Sequence, residues 1–256
     1  MNSFRYFLRF AYQGAAYHGW QNQPDAISVQ EVLEKALTTL LRREMSVVGA
    51  GRTDAGVHAK EMYAHFDSEE VLDEEALVLR LNAFLPNDVV VFNLVLVKED
   101  AHARFDAYER TYEYWVTQEK NPFLFHAAHT VLRPLNLEAM NQAASFLLEF
   151  NDFECFSKSN TDVKTFICVL KEAYWKKDNE KLIFTITADR FLRNMVRAVV
   201  GTLLEVGLGK RKVEDLREII KSKDRSKAGF SVPAKGLYLT RVLYPDSTFK
   251  WAKNKK

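Results

Sequence analysis

The strongest constraint on the fold of this 256-residue chain is an order of elements that occurs twice: short alternating apolar and polar segments, joined by tight turns more often than by helices. Phe4, Tyr6, Leu8 and Phe10 point one way while Arg5 and Arg9 point the other, the period of a strand with one buried face. Ser28-Val-Gln-Glu31 is a capping box opening a helix over 28–44, along which Val32, Leu33, Ala36, Leu37, Leu40 and Leu41 recur at helical spacing. A Gly-rich turn at 49–56, an alternating segment at 58–67, a helix at 73–84 stopped by Pro86, a β-branched run at 88–97 and a strand at 110–117 follow. After a Pro- and aromatic-rich connection at 121–134 the order returns: helix 136–149, polar loop 151–163, strands 165–177 and 181–188, helices 190–207 and 213–222, and a strand at 237–244. The expectation is therefore α+β: two α/β halves, 1–120 and 121–256, with a mostly antiparallel mixed sheet, helices packed on one face, and an active-site cleft between the halves.

Charge divides the same way. Residues 1–128 hold 12 Lys and Arg against 19 Asp and Glu, a balance of −7, while residues 129–256 hold 24 against 15, a balance of +9. A basic half presented to an anionic partner favours a polyanion such as RNA, with a merely solvated basic surface as the plainer reading. With 47% hydrophobic residues the chain buries a real core and is not disordered. Arg5 and Arg9 interrupt the apolar run at the N-terminus, and the apolar stretch near 198–204 is far short of the roughly 20 residues a membrane span needs. The chain is expected to be cytoplasmic, with no membrane partner. Cys155 and Cys168 lack CxxC spacing, which argues against a zinc site or a disulfide framework.

The most unusual stretch is Gly49-Ala-Gly-Arg-Thr-Asp-Ala-Gly-Val-His58. Its glycines permit positive φ and close approach of another chain. It has neither the spacing of a phosphate-binding loop nor the third glycine of a dinucleotide fingerprint. Two readings stand: a tight turn with an exposed Asp, or a carboxylate held on a backbone-lined loop within reach of a substrate. In Arg190-Phe-Leu-Arg-Asn-Met-Val-Arg197, Arg193 and Arg197 are four apart on one expected helix face, and arginine is the residue best suited to grip a carboxylate or phosphate with two prongs. Tyr112 and Tyr114 share a strand face, for core packing or for base stacking. The histidines are scattered, no HExxH is present, and the GxSxG elbow of a serine hydrolase is absent.

Together the blocks Tyr12–Pro24, Ser28–Glu31, Gly51–Ala59, Ala103–Ala107 with Arg110–Tyr112, Phe191–Gly201 and Gly236–Leu239 resemble the TruA-type tRNA pseudouridine synthases, in the family's order and across residues 12–239. Gly51–Ala59 carries most of that specificity. Gln13 stands where the family often has Asp, and Ser28 where it often has Thr, a mild change since both cap helices. The resemblance implies isomerisation of uridines at tRNA positions 38, 39 and 40 in the anticodon arm, with no cofactor and no metal. It makes Asp54 the nucleophile, Arg197 the partner of its carboxylate, Tyr112 the ring against the uracil, Arg52 an RNA or substrate contact and Leu237 part of an apolar wall. It further implies a homodimer gripping one tRNA, for which Lys210, Arg211, Lys212 and the basic stretch 221–227 would supply phosphate-binding surface. Two other classes are weighed: a metal-dependent RNA hydrolase using Asp54 and acids such as Asp67, and a non-catalytic RNA-binding module gripping through Trp20, Tyr112 and the lysines.

Overall fold

The computed structural model describes residues 3–158 and 164–250. It is α+β, with nine strands and five α-helices among the described residues. By contacts the chain forms two compact units, Met1–Tyr108 with Leu239–Lys256, and Glu109–Tyr238. The expectation of one boundary near 120 thus differs from this division, which falls at 108/109 and again at 238/239. The strand at 109–117 forms a ladder with a later strand of the second unit, and the chain end returns to the first.

In the first unit β1 (Phe4–Tyr12) is central, with β3 (His58–Ser68) and β4 (Val89–Leu96) antiparallel on its two sides and the two-residue β2 (Val48–Gly49) antiparallel on β3. Tyr6, Leu8, Phe10 and Tyr12 are all buried, as the alternation requires. On the opposite face Phe7 is buried too, edge-on to Tyr244 and Phe249 from the returning chain end. Helix α1 (Val29–Leu41) starts at Ser28, whose hydroxyl accepts from Glu31 N at 3.1 Å, and stops where Arg42 turns left-handed at φ 56°. Helix α2 (Glu74–Phe84) packs on β4. There the Asn82 side chain bonds both Val91 N and Val91 O at 2.8 Å, and Glu74 accepts from Leu96 N at 3.0 Å.

The second unit repeats the order. β5 (Glu109–Thr117) pairs antiparallel with β8 (Lys181–Ala188), which pairs antiparallel with β7 (Leu170–Asp178); the short β6 (His129–Thr130) joins β5 in parallel and makes the sheet mixed. Helix α3 (Leu137–Phe146) lies against β7 and α4 (Met195–Gly207), and α5 (Asp215–Ser222) buries Leu216, Ile219 and Ile220. Strand β9 (Leu237–Leu243) spans the 238/239 boundary. Eleven residues of the 13-residue α4 are buried, so this helix is core on nearly every side. It starts five residues later than the apolar spacing predicts, because Asn194 sits left-handed at φ 67° and donates its amide to Ser231 Oγ at 2.7 Å. Residues 159–163 of the expected loop 151–163 lie outside the described residues. Cys155 and Cys168 are free and buried, and burial pushes both thiols up to about 12.

Candidate active site

Asp54 is half-buried in the loop leading into β3, and its neighbours on both sides are fixed. Thr53 is buried; its hydroxyl shares a hydrogen bond of 2.8 Å with Tyr12 Oη, and its carbonyl accepts from Trp20 N at 3.2 Å. Gly56 N donates to Tyr17 O at 3.2 Å, and Val57 N closes a turn on Asp54 O at 3.1 Å. One residue into β3, buried His58 accepts from Gly14 N at 2.9 Å through Nδ1, which leaves the proton of the neutral ring on Nε2. The segment after β1 therefore forms a second wall for the loop. Gly19 makes this closeness possible: it sits at φ 93°, and a Cβ there would lie 2.4 Å from the Thr53 carbonyl oxygen. Of the glycines within 49–58 only Gly56 takes a positive φ, 78°; Gly49 instead leaves room for the Trp20 indole, and nothing lies within 4 Å of the Cβ position of Gly51.

Arg52 is exposed beside this loop. Trp20 is only 3% exposed, packed against Phe10 and over Gly49, so it braces the loop and cannot grip RNA as the non-catalytic reading would have it. Asp67, weighed above as a metal ligand, is held in a two-pronged pair by Arg5 at 2.7 and 2.8 Å, and this bond keeps its carboxyl below the usual carboxylate range. Among the described residues no group of three or more His, Cys, Asp or Glu stands together as metal ligands. Also in the first unit, buried His65 accepts from Ala103 N at 3.1 Å through Nδ1; burial, with Arg5 and His102 adding to it, pushes its pKa down to about 4.

In the second unit Tyr112 and Tyr114 share a face of β5 and behave differently. Tyr114 is fully buried, its Oη donates to Pro233 O at 2.8 Å, and burial pushes its phenol up. Tyr112 is half-buried, its ring edge-on to Phe191 with centroids 5.1 Å apart and planes at 87°. Arg197 lies in the first turn of α4 and is half-buried; its Nε donates to Val232 O at 2.7 Å, while Val232 N donates to Arg197 O at 3.2 Å. This clamp aims the guanidinium. Arg193 is not on the same helix face, contrary to expectation: it lies in the exposed turn before Asn194, its carbonyl accepting from Lys158 N at 3.1 Å. Leu237 opens β9 and is buried, just after a 3-10 turn whose Gly236 fits against the Tyr114 ring.

Past the end of α4, Lys210 and Lys212 are exposed, Arg211 pairs with Glu205, and Lys212 N donates to Asp215 at 2.9 Å. What sequence reasoning missed is the scaffolding: Tyr12, Tyr17, Gly19 and Thr53 around Asp54, and Phe191 against Tyr112. Tyr12, Tyr17 and Gly19 all lie within the Tyr12–Pro24 block, so their spacing carried the signal without saying what it was for.

A model of the family described as tRNA pseudouridine synthase matches residues 143–245. Proteins named tRNA pseudouridine synthase A are similar over nearly the whole chain. That of Bacteroides thetaiotaomicron is 55% identical over 248 residues, 96% of this chain and 92% of the relative. Those of Bacteroides fragilis and Porphyromonas gingivalis are 53% and 52% identical, over 96% of this chain and 98% and 99% of their own lengths.

Proposed function

This chain belongs to the tRNA pseudouridine synthase A family, and from that membership we propose how its residues divide the work of isomerising tRNA uridine to pseudouridine. The bond from C1′ to N1 breaks and one from C1′ to C5 forms; N1 gains a proton and C5 loses one, so atoms balance with no redox step. The reaction needs a carboxylate, a grip on the detached base and exclusion of water, and calls for no cofactor or metal.

Asp54 is the nucleophile. What carries the assignment is a half-buried carboxylate on a loop whose flanking residues are locked by Tyr12, Tyr17 and Trp20. Three routes suit it: attack on C1′, attack on C6 of the base, or assistance to a glycal intermediate. Each requires the carboxylate, and an arginine fork can hold a carboxylate by two charge-assisted bonds at once. Arg197 has this role, since its Nε is committed to Val232 and its terminal nitrogens can present the fork a carboxylate fits. Taking the uridine out of its stack costs a few kcal/mol, of which a ring such as Tyr112 returns ~1–3 kcal/mol. Leu237 completes an apolar wall and Arg52 contacts the RNA beside the reacting nucleotide.

The substrate uridines are those at positions 38, 39 and 40 of the anticodon arm, and the enzyme works as a cytoplasmic homodimer holding one tRNA. The balance of +9 in residues 129–256 supports a phosphate-binding surface that includes Lys210, Arg211 and Lys212. Release of tritium from C5-labelled uridine in tRNA measures the reaction directly. Wild-type enzyme should release it and Asp54→Asn should not, with tRNA affinity nearly unchanged because the amide is almost isosteric. Turnover by Asp54→Asn above about a hundredth of wild type, a loss of under about 2.7 kcal/mol, removes Asp54 from the nucleophile's role.

A further inference from the structure

We infer that Phe191 is a positioning residue that fixes the ring plane of Tyr112, with Arg110 tying together the two segments that carry them. The inference rests on the reading of Tyr112 as the ring against the uracil and adds a residue on which the rate of the chemical step depends.

Phe191 lies between β8 and α4 in a segment bonded on both sides of it. Asp189 O accepts from Arg110 Nη1 at 2.8 Å, and Asp189 Oδ1 accepts from Val169 N at 2.8 Å and from Arg190 N at 2.7 Å. Arg190 Nη1 reaches Thr165 O at 3.2 Å, and Met195 N closes on Leu192 O at 3.1 Å. Arg110 is two residues from Tyr112 on β5, so both side chains leave the same face of that strand. The strand that delivers the tyrosine is thereby bonded to the segment that delivers the phenylalanine.

The rings meet edge to face, 5.1 Å apart at 87°. Leu192, next in sequence, is buried at 5% exposure, whereas Phe191 and Tyr112 are only half-buried. Phe191 is therefore placed at the accessible end of the packing, beside the one tyrosine of this strand face that is not sealed in the core. An edge contact constrains rotation of the tyrosine ring about its χ2 axis, which the strand ladder does not touch. A base that must stack on that ring while its glycosidic bond is broken and remade reacts fastest when the plane is set in advance.

The test is a double-mutant cycle, read as single-turnover tritium release with enzyme in excess and, separately, as tRNA affinity by filter binding. Phe191→Leu keeps the apolar bulk and removes the edge; it should slow the single-turnover rate about three- to tenfold, with unchanged affinity and an unchanged thermal midpoint. Phe191→Tyr retains a ring and should restore the rate. In a Tyr112→Leu background, Phe191→Leu should cost nothing further, because the ring it acts through is gone. If the two losses multiply, or if Phe191→Leu weakens affinity with the rate intact, the inference is overturned. A Tyr112→Leu enzyme at wild-type rate overturns the reading of Tyr112 and the inference with it. An unaltered Phe191→Leu rate beside a slow Tyr112→Leu enzyme overturns the inference alone.

Discussion

The loop carrying Asp54 and the regular elements carrying Tyr112, Arg197 and Leu237 hold their side chains by opposite means. Around Asp54 the chain is kept in place by a handful of specific contacts: a hydroxyl pair between Thr53 and Tyr12, two backbone bonds from the 12–20 segment, and the missing side chain of Gly19. In the second unit β5 is held by a full antiparallel ladder with β8, and α4 by burial of 11 of its 13 residues. A loop built on few contacts fails when any one neighbour changes. An element fixed by a whole core keeps its shape when the functional side chain is replaced, so the scaffold outlasts the substitution.

Arg197→Met should show the largest clean effect. The helix should stay folded while the single-turnover rate falls about tenfold or more, as the Asp54 carboxylate loses its two-pronged cation. Arg197→Lys should recover only part of the rate, having charge without the fork. Arg193→Met, in the exposed turn, should leave the rate where it was. Wild-type turnover in Arg197→Met means that no such pairing operates.

Gly19→Ala probes the other side of the contrast with a single methyl group far in sequence from Asp54. A left-handed φ disfavours alanine by about 1–2 kcal/mol, and a Cβ against the Thr53 carbonyl adds about 1–3 kcal/mol of overpacking. Denaturation should show a loss of about 3 kcal/mol, and turnover should fall with it. Wild-type stability and rate would show that the loop is less dependent on its neighbour than the packing implies.

Stability has a pH dependence of its own, which defines a third expectation. His65 is held neutral, its pKa lowered from 6.5 to about 4 chiefly by burial. Between those values the unfolded chain binds a proton that the folded chain refuses, so stability is constant above pH 6.5, falls as pH drops through the window, and levels off below about 4. The loss is up to about 3 kcal/mol. Urea midpoints measured across this window check the dependence, and His65→Gln should flatten it.

The smallest effect is expected at the surface. Changing Lys210, Arg211 and Lys212 to Ala should lower the magnitude of the log–log salt slope of tRNA binding by about one to three, at roughly 0.7–0.9 per phosphate contact. Arg211, already paired with Glu205, should contribute least. A slope that does not move places the triplet away from the RNA.

How much of this was legible in the sequence follows the same contrast. Asp54 stood out because three glycines around an Arg-Thr-Asp core serve no periodic pattern, so neither a strand nor a helix accounts for them. Spacing raised Tyr112 with Tyr114 and Arg197 with Arg193, in patterns that core packing explains equally well, and only the resemblance chose one of each pair. The start of α4 was misplaced because Leu192 continues the apolar stripe while Asn194 has already turned the backbone. The two-residue strands β2 and β6 are too short to show a period. Burial of Trp20 against Gly49 depends on a contact 29 positions away, which no local pattern encodes.

The bonds from Asn82 and Glu74 to β4 bear on a hazard the chain meets before it ever meets RNA. β4 exposes Val90 and Phe92, and a strand with apolar side chains and unused backbone groups is a template on which strands of other molecules can polymerise. The carboxamide of Asn82 occupies both backbone groups of Val91, and Glu74 occupies the N–H of Leu96, so α2 stands in for the missing neighbour. Because residues 74–84 precede 89–96, a ribosome has always made this guard before the strand it protects.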